Sequence, residues 1–274
     1  MQSVAVISPK PRQRGAAEDY CDERLALGHV TLVLSELVAK SGLSAIAAER
    51  QLARLRGRVT RVSPRQPFYL IVSPEHRGNG APPPSWWLHE YFAWLKRPYY
   101  LALQSAASIY GSNPQALQVT QVMTDRPLRP IRVGKLQVVF FVKQKIGQTP
   151  TESPRGAVAP LFTSTPEATA FDLIRYASSI GGIDRAADTI RPMMDRLNDR
   201  KLAEVLRTEK LPTTAQRLGF VLDALGARSL LGTIRDWLPA ELKPVSLAPE
   251  RGDSGKETLS KRWQVYNNSH ELKV

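Results

Sequence analysis

Arginine dominates the residues that could do chemistry. Arg50, Arg54, Arg56, Arg58, Arg61 and Arg65 fall within sixteen positions, with Glu49 the one acid nearby. A guanidinium stays protonated and is a poor acid or base, but its fixed fork of donors fits a phosphate, or the O6 and N7 of guanine. The chemistry on offer is therefore anion and base recognition. Other candidates for reactivity are sparse. His29, His76, His89 and His270 are scattered and none has metal-ligand spacing with a second ligand. Cys21 is alone, so no disulfide and no multi-cysteine metal site is expected. No glycine-rich phosphate loop or nucleophile elbow occurs. Asp125 with Lys135 faintly suggests a nuclease carboxylate and lysine, but the Leu136-Gln137-Val138 segment adds no second carboxylate for a metal, and a turn is the plainer reading. The expectation is no catalysis, no metal and no cofactor.

The elements that must position the arginines follow from local pattern. Glu18 to Leu27 reads as a helix with Tyr20, Leu25 and Leu27 on its apolar side, and acids at its start where the helix dipole favours them. His29 to Leu32 suits a short strand. Leu34 to Ser41 reads as helix, ended by Gly42, though Val33 and Leu34 stand where a capping Ser or Thr is usual. Ser44 is placed to cap a second helix, Ala45 to about Leu55. At 100° per residue, Ala45, Ala48, Leu52 and Leu55 form its buried stripe, while Ile46, Ala47, Arg50 and Arg54 face outward with Gln51 flanking. Small residues allow close approach to a groove, Arg can pair with guanine and Gln with adenine. A hairpin should follow, Arg58 to Arg61 or Val62 and Phe68 to Val72, with Ser63 to Pro67 as its tip. Helix, turn, helix and basic hairpin is the order of a winged helix-turn-helix. Its expected DNA contacts are Ser44, Ile46, Ala47, Arg50, Gln51 and Arg54 on the helix, with Arg56, Arg58, Arg61 and Arg65 on phosphates.

Bulk properties agree. The chain has 274 residues, enough for two cores, and a formal net charge of +13, which favours a polyanionic partner. No apolar run approaches the roughly 18 residues of a membrane span. The N-terminal apolar patch precedes its basic residues, the reverse of a signal peptide, so a cytoplasmic location is expected. Residues 1–17, with Lys10, Arg12 and Arg14, read as a flexible basic arm able to reach a phosphate backbone.

Beyond the hairpin, the runs Ile71 to Gly78, Asn79 to Pro84, Ser85-Trp86-Trp87, Arg97-Pro98-Tyr99-Tyr100 and Ser105 to Gly111 resemble the AbiEi family. Gln121 to Pro127, Ile131 to Gly134 and Ser164 to Leu173 continue the likeness, which spans about Leu34 to Leu225. That family comprises antitoxins of type IV toxin-antitoxin, or abortive infection, systems used in phage defence. The resemblance implies a transcriptional autorepressor whose winged helix binds inverted repeats in its own promoter. It also implies a C-terminal domain that opposes a nucleotidyltransferase-like toxin without a stable complex.

The overall expectation is an α+β protein. Residues 18–80 form the winged helix-turn-helix, and residues 81–274 a larger α+β domain with a small sheet and several helices, the boundary falling at the Pro82-Pro83-Pro84 linker. In the second domain, helices are expected at Trp86 to Leu95 and Tyr99 to Tyr110. Strands are expected at Val119 to Thr124, Ile131 to Val133 and Leu136 to Val142, joined by tight turns. Thr149 to Pro160 reads as loop. Further helices are expected at about Glu167 to Ser179, Ile183 to Asp195, Asp199 to Leu206, Thr213 to Leu225 and Ala227 to Asp236. Val245 to Lys261 reads as a mobile segment and Trp263 to Tyr266 as a last strand on the sheet. Arg175, Arg185, Arg191, Arg196, Arg200 and Lys201 form either a solvated helix face or a second surface for DNA or RNA. Two alternative functions stand beside the repressor-antitoxin: a winged-helix protein with a nuclease-like C-terminal domain, and a non-catalytic protein-interaction module.

Overall fold

The structure is a computed structural model that describes residues 15–112, 119–252, 257–269 and 271–273. Lys10, Arg12, Arg14 and His270 lie outside these. The chain divides into two compact units, Met1–Pro83 with Arg132–Lys135, and Pro84–Ile131 with Leu136–Val274.

In the first unit, α1 (Ala16–Ala26) leads to β1 (Thr31–Val33), α2 (Leu34–Ser41), α3 (Ala45–Arg54) and the hairpin β2 (Val59–Ser63) and β3 (Gln66–Ile71). Helix α1 takes in two residues of the expected arm, because alanine is the best helix former and Ala17 N–H finds an acceptor in Gln51 Oε1 at 3.0 Å. Its buried residues are Ala17 and Cys21, not Leu27, which lies past the helix end and is 67% exposed. Helix α2 starts at Leu34 without a side-chain cap, as its sequence implies, and ends at Gly42 in the left-handed region at φ 68°. The three strands form an antiparallel sheet in the order β1-β3-β2. Ala48, Leu52, Leu37, Leu32, Tyr69 and Ile71 close a core around Cys21, whose thiol pKa burial pushes up to about 12.

The hairpin tip is tighter than its sequence suggests. Ser63 pairs with Gln66, so only Pro64 and Arg65 turn, and Pro67 lies inside β3. Pro67 is tolerated there because the β2 register shifts between Arg61 and Ser63 and β1 pairs no farther than Phe68, so no ladder bond is asked of its missing N–H. Gly134, at φ 57°, belongs to this unit and packs against Asn79 and Gly80 too closely for a Cβ.

The second unit is a mixed sheet covered by helices. Its elements are α4 (Leu88–Leu95), β4 (Tyr99–Leu101), α5 (Leu103–Ile109), β5 (Val119–Thr124), β6 (Ile131–Val133), β7 (Leu136–Val142), β8 (Thr151–Glu152) and β9 (Thr163–Ser164). Then come α6 (Pro166–Arg175), α7 (Ile183–Ile190), α8 (Asp199–Glu209), α9 (Pro212–Ala224), α10 (Arg228–Trp237), β10 (Val245–Ser246), β11 (Thr258–Ser260) and β12 (Val265–Asn267). Six strands run β6-β7-β5-β4-β9-β8.

Several expectations change: β8 falls within the expected loop Thr149 to Pro160, and β10 and β11 fall within Val245 to Lys261, expected to be mobile. Tyr99-Tyr100-Leu101 is a buried strand rather than the start of a helix, paired antiparallel with β5 through Tyr99–Thr124 to Leu101–Val122. Strands β5 and β7 are parallel, so 125–130 is a crossover to β6 on the far side of β7, not a tight turn between neighbours. The helix expected to reach Asp195 stops at Ile190 and continues as a 3-10 turn from Arg191 to Arg196, with Pro192 at its start. Val265–Asn267 joins β10 and β11 in a separate three-stranded sheet instead of the main one.

That small sheet is fastened to α9. Gln216 Nε2 donates to the carbonyls of Lys243 (3.0 Å) and Trp263 (3.1 Å), and Trp263 Nε1 donates to Asp223 at 2.8 Å. Gln216, Gly219 and Asp223 lie on one face of the helix. Gly219 leaves the space for the fully buried Trp263 ring.

Candidate nucleic-acid interface

Helix α3 is set by its caps. Ser44 Oγ accepts the Ala47 N–H at 3.2 Å, fixing the first turn, and the compact turn from Ser41 through the left-handed Gly42 carries the chain from α2. Ala48 and Leu52 are buried and Leu55 is half-buried. Ala45, expected in the same stripe, is exposed, since at the first helical position nothing packs over it. The outward face holds Ser44, Ile46 (64% exposed), Ala47 and Arg50, with Arg54 one turn on.

The arginines separate into two groups. Arg58 is tied into the unit itself: Nη1 donates to Glu18 at 2.6 Å and Nη2 to Asp22 at 2.5 Å, both on α1. Arg61 donates through Nε to the Gln66 carbonyl at 2.8 Å, and its guanidinium lies over the Tyr69 ring at 5.4 Å with Glu49 at 3.8 Å. These two side chains brace the hairpin. Arg50, Arg54, Arg56 and Arg65 are exposed and have no ion-pair partner among the described residues. Arg65 stands at the hairpin tip.

Gln51 is engaged within the unit. Its Oε1 accepts the Ala17 N–H at 3.0 Å, and a Cβ built on Gly15 would lie 2.8 Å from that oxygen. Bidentate pairing with adenine needs both a free acceptor and a donor. Sequence gives no sign of this partner, which lies 34 residues away.

In the second unit, Asp125 does not stand ready for a metal. Its Oδ1 accepts from Arg97 Nε at 2.8 Å and Oδ2 faces Arg126 at 3.3 Å. Burial raises its pKa, but the Arg97 hydrogen bond and charge outweigh that and leave it below the usual carboxylate value. Among the described residues no group of three or more His, Cys, Asp or Glu could hold a metal ion. The charged cluster that sequence reasoning missed is internal. Lys143, 1% exposed, bonds Asp172 Oδ1 at 2.7 Å and Glu209 Oε1 at 2.6 Å. Tyr100 Oη donates to Asp172 Oδ2 at 2.7 Å and Thr149 Oγ1 to Glu209 at 3.1 Å. Burial, then the Asp172 charge, raises the Tyr100 pKa, so its hydroxyl keeps the proton it donates. Of the basic helix residues, Arg175 reaches Glu209 at 3.3 Å, while Arg185, Arg191, Arg196, Arg200 and Lys201 are exposed.

Two units, one a three-helix and hairpin body with an exposed arginine-bearing helix, the other a helix-covered mixed sheet, define an α+β protein. Residues 100–224 match the family model described as the AbiEi antitoxin C-terminal domain. Over those residues the chain carries the C-terminal domain of the AbiEi antitoxin family. Among solved structures it is similar to the RV2827C protein from Mycobacterium tuberculosis, with a TM-score of 0.64 and 18% identity over 94% of this chain and 92% of that one. That likeness concerns the fold. No curated protein matches the chain. Among the described residues no helix is long and apolar enough to cross a membrane.

Proposed function

We propose that this antitoxin is a DNA-binding transcriptional autorepressor of a type IV toxin-antitoxin system. The first unit acts as a winged helix-turn-helix on inverted repeats in its own promoter, and the second opposes a nucleotidyltransferase-like toxin in the cytoplasm without a stable complex. The observation that carries the DNA reading is the outward face of α3, where Ile46 and Arg50 stand exposed on either side of the half-buried Ala47, beside a hairpin tipped by Arg65, which has no ion-pair partner among the described residues. An isoleucine methyl can meet a thymine methyl and an arginine a guanine edge, while a hairpin arginine meets phosphate. A non-enzymatic role is supported by Asp125, whose carboxylate is engaged by Arg97 and Arg126.

The test is a band-shift titration with the DNA upstream of its own gene across a salt series. Tight, salt-sensitive binding to inverted repeats over random DNA is expected, and equal affinity for both would sink the proposal. Incubation of nucleic acid with Mg²⁺ or Mn²⁺ should give no cleavage that Asp125→Ala abolishes. Co-expression with a neighbouring nucleotidyltransferase-like reading frame should restore growth, and should require the second unit.

A further inference from the structure

Where α3 ends, Gln51, Arg54, Arg56 and Arg58 line a polar cavity of about 380 Å3 whose opposite wall is the start of α1, from Gly15 to Glu18. Its charges are unequal. Glu18, the acid on the wall, is neutralised by Arg58 at 2.6 Å, and the exposed guanidiniums of Arg54 and Arg56 have no ion-pair partner among the described residues. Gln51 adds a directional feature. Because an N–H can bond only an acceptor, the Ala17 N–H fixes the Gln51 side-chain oxygen toward α1, and both Nε2 donors remain to offer. A cavity that presents donors and cations, with its one carboxylate already paired, is complementary to a tetrahedral oxyanion.

We propose that this cavity seats one phosphate of a DNA backbone. Gln51, Arg54 and Arg56 then position α3, and base reading belongs to the helix's first half, Ser44, Ile46, Ala47 and Arg50. This rests on the DNA-binding reading above and divides its residues into two kinds. Residues near the start of a recognition helix are the ones that usually reach base edges.

The experiment uses the full chain on operator and random DNA, each over a salt series. Arg54→Ala and Arg56→Ala should each weaken binding to both DNAs by a similar factor and lessen the slope of log K against log salt by about 0.9. Gln51→Glu keeps an oxygen for Ala17 N–H, so its thermal transition should match that of the unaltered protein, yet its negative charge should weaken binding to both DNAs. Inorganic phosphate should compete better than chloride at equal ionic strength, because the cavity suits a tetrahedral oxyanion. The proposal is overturned if Arg54→Ala relaxes preference at one base pair with the salt slope unchanged, or if Gln51→Glu binds DNA normally. It also falls if inorganic phosphate competes no better than chloride, which would leave the cavity without preference for a phosphate group. Failure of the unaltered chain to bind any DNA would instead remove the reading on which it rests.

Discussion

Single residues carry much of the specificity of this fold, and Gly219 is the sharpest case. A Cβ there would lie 2.3 Å from the Trp263 ring. Replacing glycine by alanine in a helix gains about 1 kcal/mol of propensity, but forcing a methyl into a filled site costs roughly 1 to 3 kcal/mol or more. The ring is fully buried and held by its Nε1 bond to Asp223, so it has little room to yield. Gly219→Ala should therefore lower the urea midpoint, with Trp263 fluorescence as the reporter. Asp125 makes a second prediction. Its pKa is depressed in the folded state, so its contribution to stability is complete above the ordinary aspartate value, about 4, and is lost as pH falls through the lower folded value. Asp125→Asn should lower the thermal midpoint at pH 7, and the difference from the unaltered protein should shrink as the pH is taken below about 4.

At the scale of elements, the arginines of α3 and the hairpin sort by what they touch, and the sorting can be measured. Arg58→Ala leaves Glu18 and Asp22 without their partner and should cost roughly 1 to 3 kcal/mol in chemical denaturation. Arg50 is exposed and has no ion-pair partner among the described residues, so Arg50→Ala should stay within about 0.5 kcal/mol. In the band shift, Arg50→Ala should cost roughly 1 to 3 kcal/mol and relax preference at one base pair, whereas Arg65→Ala should weaken all sequences alike. These elements were the most legible part of the chain. Gly42 and Ser44 announce the turn by conformation and capping, and the period of Ala48 and Leu52 gives the face of α3. What local pattern could not show is which arginine finds an acid elsewhere. Arg58 meets Glu18 and Asp22 across 40 and 36 positions, and Gln51 meets Ala17 across 34. The same limit explains the second unit. Tyr99-Tyr100-Leu101 beside Pro98 fits helix or strand equally, and only pairing with β5 decides. The parallel pairing of β5 with β7 likewise leaves no local mark.

For the molecule as a whole, each unit has its own core, and the second unit also holds something sequence reading did not place: a fully buried cation between two acids. Lys143 follows β7, Asp172 lies on α6 and Glu209 ends α8, so one ammonium joins the sheet to two of the helices that cover it. Such a cluster adds less net stability than its short distances suggest, because three charges give up water to form it. Its effect is on which packing is allowed. Any arrangement that parts α6 or α8 from the end of β7 strands a charge in an apolar interior, so alternatives are penalised more than the native state is favoured. Lys143→Ala should accordingly cost about 3 to 5 kcal/mol, the usual result of leaving buried acids unpaired. Lys143→Arg should not rescue it, because the larger planar guanidinium has no space in a site 1% exposed. Calorimetry should place the loss in one transition only. A core that does not include Lys143 should keep the first unit's melting unchanged, and a shift of both transitions by the same amount would show that the two units unfold as one.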